Sequence, residues 1–210
     1  MPASKTSARL VGVLFIAASA TAVAGGSLLL PVQRRDFLIT GAPHAQLVTG
    51  ALLEVTLALS VVAIAALLLP VLRPAGEGWA VLYTAVRTIE GLLILVGAIS
   101  ALVMTSLIGS GGPAGLGAAV LHTREWAYHL GTVLVFAVSA VVLNVLLLRG
   151  GQVPRWLAWW GLAGGCLLLL RGVAELYGPL PPAAQAVCAA PIGVQEMVFA
   201  GWLIVKGVRP

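Results

Sequence analysis

The chain reads as an all-α polytopic membrane protein, a compact bundle of six transmembrane helices forming a single domain over residues 1–210. Three observations lead there. Hydrophobic residues make up 60% of the chain and charged residues only 9%, against about a quarter charged in a soluble domain. Mean hydropathy is +1.05; a soluble domain of this size needs a polar skin that this composition does not supply. The apolar residues also fall into six runs near the roughly 20 residues a membrane helix requires. Soluble enzymes, disordered tails and nucleic-acid-binding domains are excluded, so the basic balance is read as membrane orientation and not as a nucleic-acid footprint.

The runs follow in order. The first spans about Leu10–Leu30 and stops at Pro31; the second spans Leu47–Leu69 and stops at Pro70. The third spans Trp79–Ile108 and ends in the flexible Ser110–Gly117 stretch. The fourth spans Trp126–Leu148, before Arg149-Gly150-Gly151. The fifth begins at Arg155-Trp156, after Pro154, and reaches Tyr177. The sixth spans Ala190–Val205, after Pro179, Pro181 and Pro182. Proline separates the runs because it lacks the amide that continues a helix.

Lys and Arg orient the bundle. Lys5, Arg9, Arg73, Arg149, Arg155, Lys206 and Arg209 collect on one side; Arg34, Arg35 and Arg124 collect on the other. The positive-inside rule places the first group, with both termini, in the cytoplasm. The expected location is the cell membrane, multi-pass, of the bacterial inner-membrane type. Trp79, Trp126, Trp156, Trp159 and Trp160 mark span edges. A signal peptide is the competing reading of the first run, with Ala18-Ser19-Ala20 or Ala22-Val23-Ala24 as a cleavage site; the run's full spanning length favours a retained helix. Cys166 and Cys188 read as small buried hydrophobes too far apart in depth to bridge. Gly164-Gly165 reads as a close helix contact.

Four segments carry a resemblance: Gly12-Val13-Leu14-Phe15-Ile16, the YTAVRTIEG stretch Tyr83–Gly91, Pro154-Arg155-Trp156-Leu157, and Trp202-Leu203-Ile204-Val205-Lys206-Gly207. Their order and spacing resemble the bacterial integral-membrane family called domain of unknown function 4386, almost end to end. The resemblance implies a compact, all-helical membrane protein and brings no activity with it.

Function must therefore come from polar residues inside the runs, each of which costs about 2.5–3.5 kcal/mol at a helix centre on insertion scales. Six qualify: Glu54, Arg87, Glu90, Arg171, Glu175 and Glu196. At 1.5 Å rise per residue, Glu90 lies roughly 16 Å in, near the midplane, and Glu54 roughly 10 Å deep from the outer side. Glu196 lies at a depth similar to Glu54. These groups are expected to share one polar chamber in the outer half of the bilayer. Arg87 and Glu90 stand at i,i+3, and Arg171 and Glu175 at i,i+4, so each pair can share a helix face. That leaves Glu54 and Glu196 without a base, unless Arg124 at the mouth serves one. A carboxyl left unpaired in hydrocarbon is neutral, and becomes a hydrogen-bond donor or general acid.

Glu54, Glu90 and Glu196 are accordingly the candidate catalytic acids. Arg87, Arg171, Glu175, Tyr83, Tyr128, His129 and Trp202 are the candidate substrate-binding residues. His122, Glu125 and His129 form a stripe, but the two histidines are about 10 Å apart along the axis, so no metal and no cofactor is expected. His44 is expected to be solvated. The partners are membrane lipids and an isoprenoid small molecule. Two functions compete. In one, a lipid-like substrate enters from the bilayer and a glutamic acid starts its cyclisation or isomerisation, with aromatic faces such as Phe136 stabilising the cation. In the other, the protein is a non-catalytic lipid-binding or accessory protein whose buried ion pairs are structural. A carrier is disfavoured by small size and the lack of internal repeats. The two are separated by cavity size: a few hundred Å³ walled by carboxyls favours catalysis.

Overall fold

The computed structural model describes residues 5–34, 36–108 and 114–208. Arg35, Arg209 and the Ser110–Pro113 part of the expected flexible stretch lie outside the described residues. The elements are α1 (Lys5–Leu29), α2 (Phe37–Thr40), α3 (His44–Leu72), α4 (Glu77–Leu107), α5 (Ala114–Tyr128), a π-helical stretch (His129–Val135), α6 (Phe136–Gly150), α7 (Arg155–Tyr177) and α8 (Pro182–Val205). Among the described residues six helical units are long and apolar enough to cross a membrane: 5–33, 44–75, 77–107, 115–150, 155–177 and 182–205.

The boundaries depart from the hydropathy reading in three places. Helix α3 runs through Pro70 to Leu72; Pro70 has no amide to donate to the Ala66 carbonyl one turn back, so the helix forgoes a single bond near its end. Helix α8 begins at Pro182, with Pro in its first turn where the missing amide would be unpaired anyway, and carries Pro191 inside. The fourth unit begins at Ala114 and continues unbroken to Gly150. The polar run His122-Thr123-Arg124-Glu125 hid its first part from a hydropathy window. Gly151, at φ 63°, closes α6 in the left-handed region, with its N–H donating to the Leu147 carbonyl at 3.0 Å.

Backbones approach closely where glycine allows it. A methyl group added to Gly12 of α1 would lie 2.6 Å from the Ala200 carbonyl oxygen of α8, and one on Gly164 of α7 would lie 2.9 Å from the Ile192 amide nitrogen. Gly25 on α1 faces Gly50 on α3. In lipid, where apolar burial offers little drive between helices, such contacts supply the packing. The Gly164-Gly165 contact expected from the sequence is present, against α8 and α6. Cys166 is exposed and Cys188 half-buried, both free; Cys166 thus sits on the bundle's outer surface, not in its core, because its neighbours Gly164 and Gly165 take the inward faces.

An even number of crossings puts the Lys5 and Val205 ends on one face. The largest apolar core lies toward that face and includes Val11, Phe15, Leu68, Leu72, Leu146, Leu157, Phe199 and Leu203. Buried charge sits around and beyond it.

Candidate functional site

The π-helical stretch sets the site's geometry. A wide turn shifts the phase of the helix around it. Before it, Arg124 faces α3 and α4; within it, His129 faces α7; after it, Phe136 faces the middle of the bundle.

The central cluster is built on α4. Tyr83, Arg87 and Glu90 stand at i−4, i and i+3, on one stripe. Arg87 is 2% exposed and Tyr83 fully buried. The Arg87 guanidinium donates through Nε to the Tyr83 hydroxyl (3.3 Å), through Nη1 to both Glu90 oxygens (3.1 Å each) and through Nη2 to Glu196 Oε1 on α8 (3.3 Å). Its Cζ lies 5.1 Å from the Phe136 ring centroid, 5.8 Å from Tyr83 and 6.0 Å from Phe15. One guanidinium therefore serves two carboxyls and three aromatic rings, and cation–π attraction is strongest where water is absent. Glu196 Oε2 makes no hydrogen bond among the described residues.

A cavity of about 140 Å³ opens beside this cluster. Its polar wall is Arg87, Glu90, Glu196, Ser19 and Thr132; its apolar wall includes Phe15, Ala18, Leu57, Val61, Ile94 and Phe136. At its α1 edge Ala22 is exposed and Ser19 half-buried. The cavity thus reaches the side of the bundle, at a depth set well inside span 5–33.

The second cluster is Glu54 and Arg124. Arg124 donates to Glu54 through two nitrogens, at 2.9 and 2.6 Å, and also to the Gly97 carbonyl of α4. This fork-on-fork geometry is the strongest carboxylate arrangement arginine makes. Both side chains are about nine-tenths buried. Glu54 does not line the cavity.

The third cluster joins α7, α8 and the π-helical stretch. Arg171 donates to Glu175 (3.2 Å) and to the Gln185 carbonyl (3.1 Å). His129 Nε2 lies 3.1 Å from the Gly172 carbonyl, which only accepts, so the ring donates there. Its Nδ1 faces Glu175 Oε2 at 3.5 Å.

The sequence expectation of one shared chamber is therefore corrected. Glu90, Arg87 and Glu196 meet; Glu54 is held apart by Arg124, and Arg171 with Glu175 forms a separate lock. Neither Glu54 nor Glu196 lacks a base, because Arg124 lies inside the bundle and Arg87 reaches two helices. Arg124 is 7% exposed, so it is a buried side chain and not one of the loop charges with which the orientation reading grouped it. Tyr83 supports Arg87. Tyr128 is exposed on the outer surface and does not line the cavity. Trp202 is half-buried, its Nε1 without a partner among the described residues, and it too lies off the cavity. His122 pairs with Glu125 at 3.0 Å on the surface, and His44 is exposed. No group of three metal-ligating side chains occurs among the described residues. Sequence reasoning missed Ser19, Gln185 and Gln195. The last is buried and donates to the Leu157 carbonyl (3.3 Å). Polar side chains in apolar helices were the available signal.

Fold and clusters together define a multi-pass helical membrane protein with arginine–carboxylate pairs buried between its spans. Residues 10–207 match the family model described as Domain of unknown function (DUF4386), so the chain belongs to that family. No curated protein and no solved structure matches it.

Proposed function

We propose that the protein is a non-catalytic lipid-binding protein of the bacterial inner membrane, which takes one end of a lipid-like molecule into the Arg87–Glu90–Glu196 cavity from the side. The observation that carries this reading is the cavity itself: polar at its inner wall, apolar around it, and open beside α1 at Ala22. A cavity near 150 Å³ takes a benzene-sized group, whereas pockets enclosing a whole small-molecule ligand run to about 300–1,000 Å³. At about 140 Å³ this one holds a polar end and a few carbons, with the chain left in the bilayer. Replacing Ala22 with Trp to close the mouth tests the reading. Cross-linking by a photoactivatable alkyl lipid to α1 and α6 should be lost; unchanged cross-linking would refute it.

A catalytic reading is favoured by one observation, the free oxygen of Glu196 at a wall that also carries Phe15 and Phe136. There a glutamic acid would give its proton to an isoprenoid alkene, and a carboxylate would take one back from the resulting cation. This would be an isomerisation or cyclisation with no net change in atoms. Lipid profiles of cells expressing wild type, Glu90→Gln and Glu196→Gln, fed an isoprenoid precursor, decide it: a product lost in the variants supports catalysis, and identical profiles remove it.

The proposed orientation has both termini in the cytoplasm. Cysteines placed at Gly151 and Gly178 should react with an impermeant reagent from opposite sides, Gly178 from outside. The reverse pattern inverts the topology.

A further inference from the structure

Resting on the lipid-binding reading, we infer that the cavity selects its lipid-like ligand by a protonated amine head, which donates to Glu196 Oε2 and Ser19 Oγ. Three observations carry this. The first is charge. Glu90 and Glu196 share the single guanidinium of Arg87, so with both acids ionised the cluster holds one negative charge more than it can cancel. Glu54 and Glu175 have their own arginines, and neither Arg124 nor Arg171 lines the cavity. A cation entering from the bilayer removes an imbalance that is costly in hydrocarbon.

The second is hydrogen-bond polarity. Arg87 is the cavity's strong donor, and it is already turned inward: Nε to Tyr83, Nη1 to Glu90, Nη2 to Glu196, with three rings around it and 2% exposure. The Thr132 hydroxyl donates to the Tyr128 carbonyl at 2.8 Å. The groups that can accept and are still open among the described residues are Glu196 Oε2 and the Ser19 hydroxyl, while one Nη2 N–H of Arg87 remains an unused donor. A phosphate or carboxylate head would add a further negative charge beside two carboxyls that already share one guanidinium. An ammonium, with three donors and no acceptor, fits both open groups.

The third is size and access. About 140 Å³ suits an ammonium and its first few methylenes. Ser19 and exposed Ala22 place the way out on the side of α1, where an alkyl or isoprenoid tail continues into lipid.

The test uses the full chain in phosphatidylcholine nanodiscs and three photoreactive diazirine probes with the same dodecyl chain: a primary amine, an alcohol and a carboxylate. Labelled peptides are mapped by mass spectrometry. The amine should label α1 around Ala18–Ala22 and the Thr132–Phe136 segment at least tenfold above the carboxylate and the alcohol. That labelling should fall at least tenfold in Glu196→Gln and stay unchanged in Glu77→Gln, an exposed acid outside the cavity. If the alcohol or carboxylate labels these segments as well as the amine does, the head-group assignment fails while the lipid-binding reading stands. Amine labelling that persists in Glu196→Gln also overturns the assignment. If no probe labels the cavity segments, both readings fall. Should Glu196→Gln not fold, Ala22→Trp serves in its place: amine labelling that survives in a closed mouth overturns the assignment, and the three-probe comparison in the wild type needs no variant.

Discussion

Two arginines in this bundle face carboxyls in different ways. Arg124 meets Glu54 one to one, fork to fork, and its Nη1 also donates to the Gly97 carbonyl. The pair bridges α5, α3 and α4 and does not border the cavity. Arg87 meets two carboxyls from two helices and stacks among three rings beside open volume. The first arrangement is closed in charge and in geometry, so all it can do is hold helices together. The second leaves an acceptor free at the wall of a cavity. Burial does not separate them, since both arginines are below one-tenth exposed. Stoichiometry and neighbouring space do: a matched pair locks, and an unmatched one beside a void binds.

The comparison breaks most visibly at the lock. Arg124→Ala strands Glu54 in the interior and should lower stability by about 3–5 kcal/mol, the usual cost of leaving one partner of a buried pair alone. It should be read as a lowered Tm in detergent. Replacing both Arg124 and Glu54 with Met should recover most of that loss, since well-packed apolar side chains often substitute for a buried pair. A wild-type Tm in Arg124→Ala would show that the pair does not lock the bundle.

Arg87→Ala should cost stability on a similar scale, because it strands two carboxyls instead of one. Unlike the loss at Arg124, it should not be recovered by changing a single acid: Glu90→Gln and Glu196→Gln are both needed in the Arg87→Ala background. Recovery with one of them would mean that the second carboxyl is not held by Arg87.

Glu196→Gln is the sharper probe. Glu196 is less buried than Glu90, with 18% of its side chain exposed against 5%, and Gln keeps an acceptor for Arg87. The expected Tm change is small, within about 1 kcal/mol, the net worth of an ordinary hydrogen bond, while amphiphile labelling at the cavity is lost. Glu54→Gln should show the reverse, a clear loss of Tm with labelling intact. If the two variants behave alike, lock and binding site are not distinct.

The smallest stability effect is expected at the cavity mouth. Ala22 is exposed, so Ala22→Trp should change stability by no more than about 0.5 kcal/mol, as surface substitutions usually do, and yet block access. A large fall in Tm would place Ala22 in a packed contact and remove the lateral opening.

The six spans were legible in the amino-acid order because lipid imposes a one-dimensional rule: a run of apolar residues of fixed length, punctuated by proline, is a crossing. The same rule hid the start of the fourth span. There His122 to Glu125 interrupt the run, and the helix is held by contacts from outside itself, with Gly117 packed on Leu38 and Arg124 on Glu54. The i,i+3 and i,i+4 pairs on α4 and α7 could be read directly, since helix geometry fixes both partners locally. The partners of Glu54 and Glu196 could not. Seventy residues separate Glu54 from Arg124 and 109 separate Glu196 from Arg87, and no local periodicity encodes a pairing at that range. Which arginine is shared, and which one has space beside it, was decided by how the helices cross. Glycine contacts bring α1 against α8 at Gly12 and against α3 at Gly25, and a π-helical turn swings Phe136 over Arg87. Composition determined that charges would be buried in this membrane protein. Packing alone determined which of them were left with something to bind.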